Sequence, residues 1–254
     1  DAASVMATGG GAACHGDNLA RMRTAGVVVA LSAPLATVRV RAEAAATSPG
    51  ASPRPLLARA DDEVAALYQR RISHYRRAHA RVDTEDRAPA AVADAVCAVL
   101  AAVADLEPAL LPQTAVVALD ERSYRSVVAD GALAQLGALA RGALPARCTR
   151  VAVVADGAIA SSHGAAAAAA LTAAGLDVVT LAVPPGETSK SFAGYQELCD
   201  RLVAAGLDRR SVVVAIGGGV IGDLAGFAAA TLYRGIPCLQ VPTTLLAMVD
   251  SAIG

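Results

Sequence analysis

Continuous apolar runs, cut by glycine, proline and charge, organise this chain into two stretches. Ser4-Val-Met-Ala-Thr8 and Gly26-Val-Val-Val-Ala-Leu31 lack polar alternation and read as short buried strands, with Gly9-Gly-Gly11 between them. A Ser/Pro/Gly-rich loop at Thr47–Pro55 precedes a helical pattern from about Asp62 to Ala80 with Val64, Leu67, Ile72 and Tyr75 on its buried side. Val82-Asp-Thr84 reads as a short strand or turn and Ala88–Val103 as an amphipathic helix. Asp105–Gln113 has two prolines and no period, which places a linker at 104–113 between domains 1–103 and 114–254. Beyond it, strands at Ala115–Leu119, Cys148–Ala155, Asp177–Val183, Ser211–Ile216 and Ile236–Val241 surround helices at Ala160–Ala174, Phe192–Ala205 and Val220–Leu232. Alternation of this kind predicts βαβ units on a parallel sheet.

Composition narrows the class. With 254 residues, 55% hydrophobic and 18% charged, the chain has ample material for packed cores. A net charge of −1 without a dense basic block leaves no electrostatic footprint for nucleic acid or an anionic membrane. The most basic piece, Gln69–Arg77, spreads four arginines over two turns, as a solvated helix face does. Five scattered cysteines suggest neither a disulfide framework nor a zinc knuckle, and a reducing cytoplasm is the expected compartment. No apolar run is long enough to span a bilayer.

Gly217-Gly-Gly-Val-Ile-Gly222 follows a strand and opens a helix, the setting in which glycines let a pyrophosphate approach backbone amides at a positive helix end. A plain tight turn is the competing reading. Asp223 suits either the helix dipole or a cofactor hydroxyl. Thr243 and Thr244, after Pro242, suit capping or ligand contact. Asp250, seven residues past Thr243, falls on the same helical face. Arg234 could satisfy the end of the preceding helix or grip a phosphate.

Together, Pro185-Gly-Glu-Thr-Ser-Lys190, the Gly217–Asp223 loop, Tyr233-Arg-Gly235 and Val241–Ile253 resemble 3-dehydroquinate synthase over roughly 114–254. The resemblance implies NAD contacts from Asp156, Glu187, Lys190, Gly218, Gly219, Val220, Asp223, Thr243 and Thr244. It also implies that Arg234 and Asp250 serve as catalytic and substrate-binding residues for 3-deoxy-D-arabino-heptulosonate 7-phosphate. The family chemistry is a transient oxidation by NAD, phosphate elimination, reduction, ring opening and aldol closure, with zinc or cobalt polarising the oxidised hydroxyl. The metal ligands, one Glu and two His in the family, are expected beyond Gly254, and His163 does not match them. Ala158 stands where some relatives carry a polar residue near the ribose.

The first stretch carries Thr8-Gly-Gly-Gly-Ala12, Arg41, Arg54-Pro-Leu-Leu57, Arg71-Ile-Ser-His-Tyr75 and Val82-Asp-Thr84, an order that resembles the C-terminal half of shikimate kinase over about 1–103. The resemblance implies Gly10 and Arg71 at shikimate, Arg54 in a lid over the nucleotide phosphates and Arg87 near the adenine. Ile72-Ser-His departs from the more usual Ala-Pro-Leu. No G-x-x-x-x-G-K-[ST] occurs, so the ATP and magnesium phosphate loop is expected upstream of Asp1.

The fold expectation is therefore α/β: a Rossmann-like, parallel-sheet NAD-binding domain preceded by part of a P-loop kinase-like domain. The functional expectation is a piece of a bifunctional shikimate-pathway enzyme, inactive in this length. Its partners would be the sugar-acid phosphate and shikimate, without nucleic acid or membrane, and a homodimer is the assembly to test. Another sugar-phosphate cyclase, a polyol dehydrogenase and a non-catalytic binding protein are the competing readings.

Overall fold

In the computed structural model, residues 4–46, 60–145 and 147–253 are described, and the chain divides into two units, Asp1–Ala129 and Asp130–Gly254. The first contains α1 (Asn18–Ala25), β1 (Val29–Ser32), α2 (Leu35–Ala46), α3 (Asp61–Tyr75), β2 (Ala80–Asp83), α4 (Pro89–Ala101), β3 (Thr114–Val117) and β4 (Tyr124–Val127). The second contains α5 (Leu136–Ala143), β5 (Val151–Asp156), α6 (Ala165–Ala173), β6 (Val178–Val183), α7 (Phe192–Ala204), β7 (Val212–Gly217), α8 (Gly219–Thr231), β8 (Cys238–Pro242) and α9 (Leu245–Val249).

In the first unit β1 and β2 pair in parallel, Val29 opposite Ala80. α4 covers them, burying Ala95 and Val99 against Ala80, Val82 and Val116. Pro89 opens α4 at a position that needs no amide donor. Asp61, Asp62 and Glu63 fill the first turn of α3, where the helix dipole favours carboxylates. That helix stops at Tyr75, short of the expected Ala80, because Ala80 belongs to the β2 ladder.

Ser4–Thr8 is not the buried strand expected from its apolar character. It joins no ladder among the described residues, and Val5 and Met6 are 99% and 82% exposed. Apolar character suits a strand to a sheet but does not supply the neighbouring backbone that a strand must bond.

The expected linker is ordered. Pro108–Gln113 forms a 3-10 turn leading into β3, which pairs antiparallel with β4, a strand its polar sequence had hidden. His79, 1% exposed, staples this turn to the unit. Its Nδ1 accepts from the Val28 amide at 2.9 Å, so the proton sits on Nε2, which donates to the Leu111 carbonyl at 3.0 Å. The Arg23 guanidinium adds bonds to the carbonyls of Arg77, Pro112 and Thr114. Arg125 completes the arrangement with a two-pronged ion pair to Asp105 at 2.6 and 3.0 Å.

The second unit is a parallel sheet in the order β6-β5-β7-β8. Val212–Ile216 are at most 1% exposed, as expected of a central strand covered on both faces. Alternate residues serve opposite layers: Val154, Val213 and Ala215 pack on α7 and α8, whereas Val153, Val214 and Ile216 pack on α5 and α6. α5, not among the expected elements, lies so close to α6 that a Cβ on Gly137 would sit 2.3 Å from the Ala170 carbonyl oxygen. The long helix expected at Ala160–Ala174 begins instead with a π turn over Ala160–Gly164, at whose end Gly164 passes close to the Ala155 side chain.

The environment of His79 generates a pH dependence. Burial, and then the nearby Arg23 charge, hold its pKa below the ordinary 6.5. The unfolded chain therefore takes up this proton first, so the staple's contribution is complete above pH 6.5 and is lost as pH falls toward the folded value. Urea midpoints of the first unit should fall on acidification from about pH 7.5 to about pH 5, and His79→Gln should flatten that dependence.

Candidate functional site

The strands of the second unit end in register. Asp156 lies opposite Val183, Ala155 opposite Ile216 and Gly217 opposite Pro242, so the four following loops emerge at one edge of the sheet. From β5 the chain moves to β6 on one side and returns to β7 on the other, which makes the gap between β5 and β7 the topological switch point. Ligands of open α/β sheets bind in that crevice.

Most of the residues expected there come together. Gly217 has a packing reason to be glycine: a Cβ would stand 2.8 Å from the Ile221 side chain. Gly218 and Gly219 are different, because a Cβ on them would meet only the Thr244 methyl and the Ser251 hydroxyl, each at 3.3 Å. Gly218 caps α8 without a side chain, so nothing from the cap occupies the first amides of that helix, Gly219 and Val220 included. The Thr243 amide donates to the Gly217 carbonyl at 2.9 Å, tying β8 to the loop.

Asp223 falls one turn into α8. Its carboxylate meets the Lys190 ammonium at 2.5 Å, and this bond raises the Lys190 pKa. Lys190 arrives on the loop after β6, where Gly186 adopts a φ of 100° and Glu187 lies exposed in a short 3-10 turn. That loop is pinned by the Ser189 hydroxyl donating to the Pro184 carbonyl at 2.6 Å and by Ser191 capping α7. Asp156 closes β5 and accepts from the Ala158 amide at 2.8 Å, which shapes the third wall of the crevice.

Two expectations change. Thr244, rather than Thr243, caps α9, its hydroxyl accepting from the Ala247 amide at 3.2 Å. α9 ends at Val249, and Asp250 leaves helical geometry with φ −134° and ψ −91°, so the two-turn alignment with Thr243 does not form. Arg234 ends the short 3-10 turn Leu232–Arg234 that runs on from α8 after Thr231. Tyr233, Arg234 and Gly235 have φ values of 52°, 74° and 103°, a conformation costly for the two side-chain-bearing residues. The Tyr233 hydroxyl anchors the turn on the Leu207 carbonyl at 2.8 Å. Arg234 is exposed, and its guanidinium has no partner among the described residues.

In the first unit, Gly10 and Arg71 meet at a cavity of about 510 Å³ that also takes Ser32, Tyr68, Tyr75 and Arg76 as walls. A Cβ on Gly11 would be 3.2 Å from the Arg71 guanidinium. The Tyr75 hydroxyl donates to the Gly10 carbonyl. Burial and then the neighbouring Cys14 raise its pKa against the opposing pull of Arg71, which keeps the hydroxyl a donor. Arg87 is engaged elsewhere, in a 2.7 Å ion pair with Asp120 and a bond to the Ala91 carbonyl. Arg41 likewise binds Thr84. Arg54 and the rest of its RPLL motif lie outside the described residues. Arg76 and Arg81 line the cavity although no motif marked them. Among the described residues no cluster of His, Cys, Asp or Glu could hold a metal ion, and no helix is long and apolar enough to cross a membrane.

Residues 1–101 match the shikimate kinase family model, and residues 180–254 match that of the 3-dehydroquinate synthase N-terminal region. The chain joins a segment similar to shikimate kinase to one similar to 3-dehydroquinate synthase. The synthase segment is 51% identical over 142 residues to the 3-dehydroquinate synthase of Caulobacter vibrioides, covering 56% of this chain and 38% of that protein. It is 54% identical over 136 residues to that of Symbiobacterium thermophilum, covering 54% and 38%. The chain thus spans under two fifths of the length of these relatives. A solved 2-deoxy-scyllo-inosose synthase, complexed with carbaglucose-6-phosphate, NAD+ and Co2+, is 34% identical, with 42% of this chain and 29% of that one covered and a TM-score of 0.40.

The synthase loop carrying Lys190 depends on a glycine outside the dinucleotide motif. A Cβ on Gly194 would stand 2.2 Å from the Ser189 carbonyl oxygen, so Gly194→Ala must displace backbone. The second unit should lose about 1–3 kcal/mol in urea denaturation.

Proposed function

We propose that the second unit binds NAD as part of a 3-dehydroquinate synthase, and that the first is the shikimate-holding part of a shikimate kinase in the same polypeptide. One observation carries the first reading: an uncapped α8 N-terminus, glycines open to close approach and the Lys190–Asp223 pair converge on the switch-point crevice. These residues fit a dinucleotide. Gly218, Gly219 and Val220 would offer amides to the pyrophosphate, and the helix dipole would favour its charge. Asp223, oriented by Lys190, and Asp156 would accept from ribose hydroxyls, with Glu187 beside them. Thr243 and Thr244 would supply hydroxyls at the opposite rim.

When bound, NAD would supply a hydride acceptor that makes a neighbouring C–H acidic enough for phosphate elimination. The chain's own part is to bind and orient. Arg234, held outward on its strained turn, suits the phosphate or carboxylate of 3-deoxy-D-arabino-heptulosonate 7-phosphate, and Asp250 suits its hydroxyls. A zinc or cobalt site does not fit the described residues, and no step is assigned to a metal.

For the kinase part, the Gly10–Arg71 cavity suits shikimate: arginine for the carboxylate, and backbone and the Tyr75 hydroxyl for the ring hydroxyls. The residues present do not fit ATP and magnesium, since the sequence lacks a phosphate loop and Arg87 is already paired. No phosphoryl transfer is assigned to this length of chain.

Calorimetric titration of the 254-residue chain with NAD+ tests the nucleotide reading. Binding is expected in the parent, and Asp223→Ala should weaken it by about tenfold or more through loss of charge-assisted ribose contacts. Equal affinity in both would remove Asp223 from the site. Titration with shikimate tests the cavity. Arg71→Leu should weaken binding by about tenfold to a hundredfold, and a change under about threefold would rule against a carboxylate contact.

A further inference from the structure

We infer that Val116 and the β3–β4 hairpin that carries it are positioning elements for the cavity of the first unit, fixing the corner between α3 and β2 that bears part of its polar wall; this rests on the shikimate reading of that cavity. The resemblance to 3-dehydroquinate synthase begins at about residue 114, so both strands of the hairpin are synthase-like in sequence, yet they lie within Asp1–Ala129. Three contacts hold them there. The Val116 amide donates to the His79 carbonyl at 2.6 Å, and the buried Val116 side chain packs in one cluster with Ala80 and Val82. The Arg23 guanidinium donates to the carbonyls of Arg77 at 2.7 Å and Thr114 at 3.2 Å, so one side chain joins the corner to the first residue of β3. On β4, the largely buried Arg125 side chain donates to the Ala102 carbonyl at 3.2 Å beside its pair with Asp105.

The corner matters to the cavity because of what lies beside it. Arg71 and Tyr75 belong to the last turns of α3 and Arg76 follows directly, and all three line the cavity with Gly10. The middle of α3 is tied to the chain just after β1 by the Tyr68 hydroxyl, which donates to the Ala33 carbonyl at 2.9 Å. Its far end is tied through Arg77 and His79 to the hairpin. Arg71 and Tyr75 therefore sit between two anchors, and their placement opposite Gly10 depends on both. Hydrogen bonds to a ligand weaken steeply as their geometry departs from ideal, so an anchor outside the cavity acts on affinity without touching the ligand. α4 supplies the comparison. Val99 is fully buried in the same cluster as Val116, but among the described residues its helix makes no hydrogen bond to Arg77 or His79.

The test measures shikimate affinity by calorimetry in the 254-residue chain, with each variant shown to be folded by circular dichroism. Val116→Ala loosens the hairpin, and Val99→Ala removes the same atoms from the same core away from the corner. Val116→Ala should weaken shikimate binding by about threefold to tenfold, whereas Val99→Ala should leave it within about twofold. Arg125→Gln frees β4 from Asp105 without opening a cavity in the core, and should weaken binding by about twofold or more. Arg125→Gln decides alone if Val116→Ala does not fold. Parental affinity in either folded hairpin variant overturns the assignment, as does an equal loss in Val99→Ala, which would mark general destabilisation. Failure of the parent itself to bind shikimate overturns the cavity reading and the hairpin's role with it; binding by the parent together with unaffected hairpin variants overturns only the latter.

Discussion

The second unit depends on one close approach. The Ile221 side chain rests against the Cα of Gly217, at a point where a Cβ would be only 2.8 Å away. This contact brings the first turn of α8 down onto the end of β7, the most deeply buried strand of the sheet. Once α8 is seated there, its N-terminus must open at the carboxyl edge, next to the loops that carry Asp156 and Lys190. The Gly217 carbonyl then receives the Thr243 amide, so the following strand and its threonines are fixed to the same loop. A packing constraint and a ligand requirement thus converge on one glycine-rich segment, with separate glycines serving each. Gly217 permits packing, and Gly218 and Gly219 leave backbone accessible.

The first unit solves a different problem. Its parallel pair β1–β2 is too small to bury both faces by itself, and α4 covers one of them. Neutral His79 and the Arg23 guanidinium satisfy backbone groups that the irregular chain near Pro108–Thr114 would otherwise leave buried and unpaired. The β3–β4 hairpin consequently packs with the first unit, Val116 entering its core and donating its amide to the His79 carbonyl. The linker placed at 104–113 rested on two prolines and a missing period, whereas packing in this unit runs on to Ala129.

Much of this was legible in advance. The uninterrupted apolar runs at Cys148–Ala155 and Ser211–Ile216 announced central parallel strands, and the PGETSK and glycine motifs marked both rims of the crevice before any geometry was known. Two short elements stayed hidden. Tyr124–Val127 reads as polar and becomes a strand because β3 offers it a ladder. Leu136–Ala143 carries a helical period in Leu136, Leu139, Ala140 and Ala143 but spans only eight residues, and it packs on α6 with Gly137 at the contact. Ser4–Thr8 failed in the opposite sense, with strand-like residues but no strand beside them.

The sequence by itself determined the alternation of strands and helices, the two family kinships and the chemical identity of nearly every residue at the crevice. Those properties are local, written in hydrophobic period, glycine spacing and cap residues, which act within a few positions of one another. The tertiary structure alone decided which groups meet: Lys190 with Asp223, Thr243 with Gly217, and Arg87 with Asp120 where a place near an adenine was expected. It also decided that Asp250 leaves its helix and that Arg234 sits on a strained turn. Such pairings depend on strand order and register, which arise from the packing of two layers of side chains across a sheet and not from any short stretch of chain.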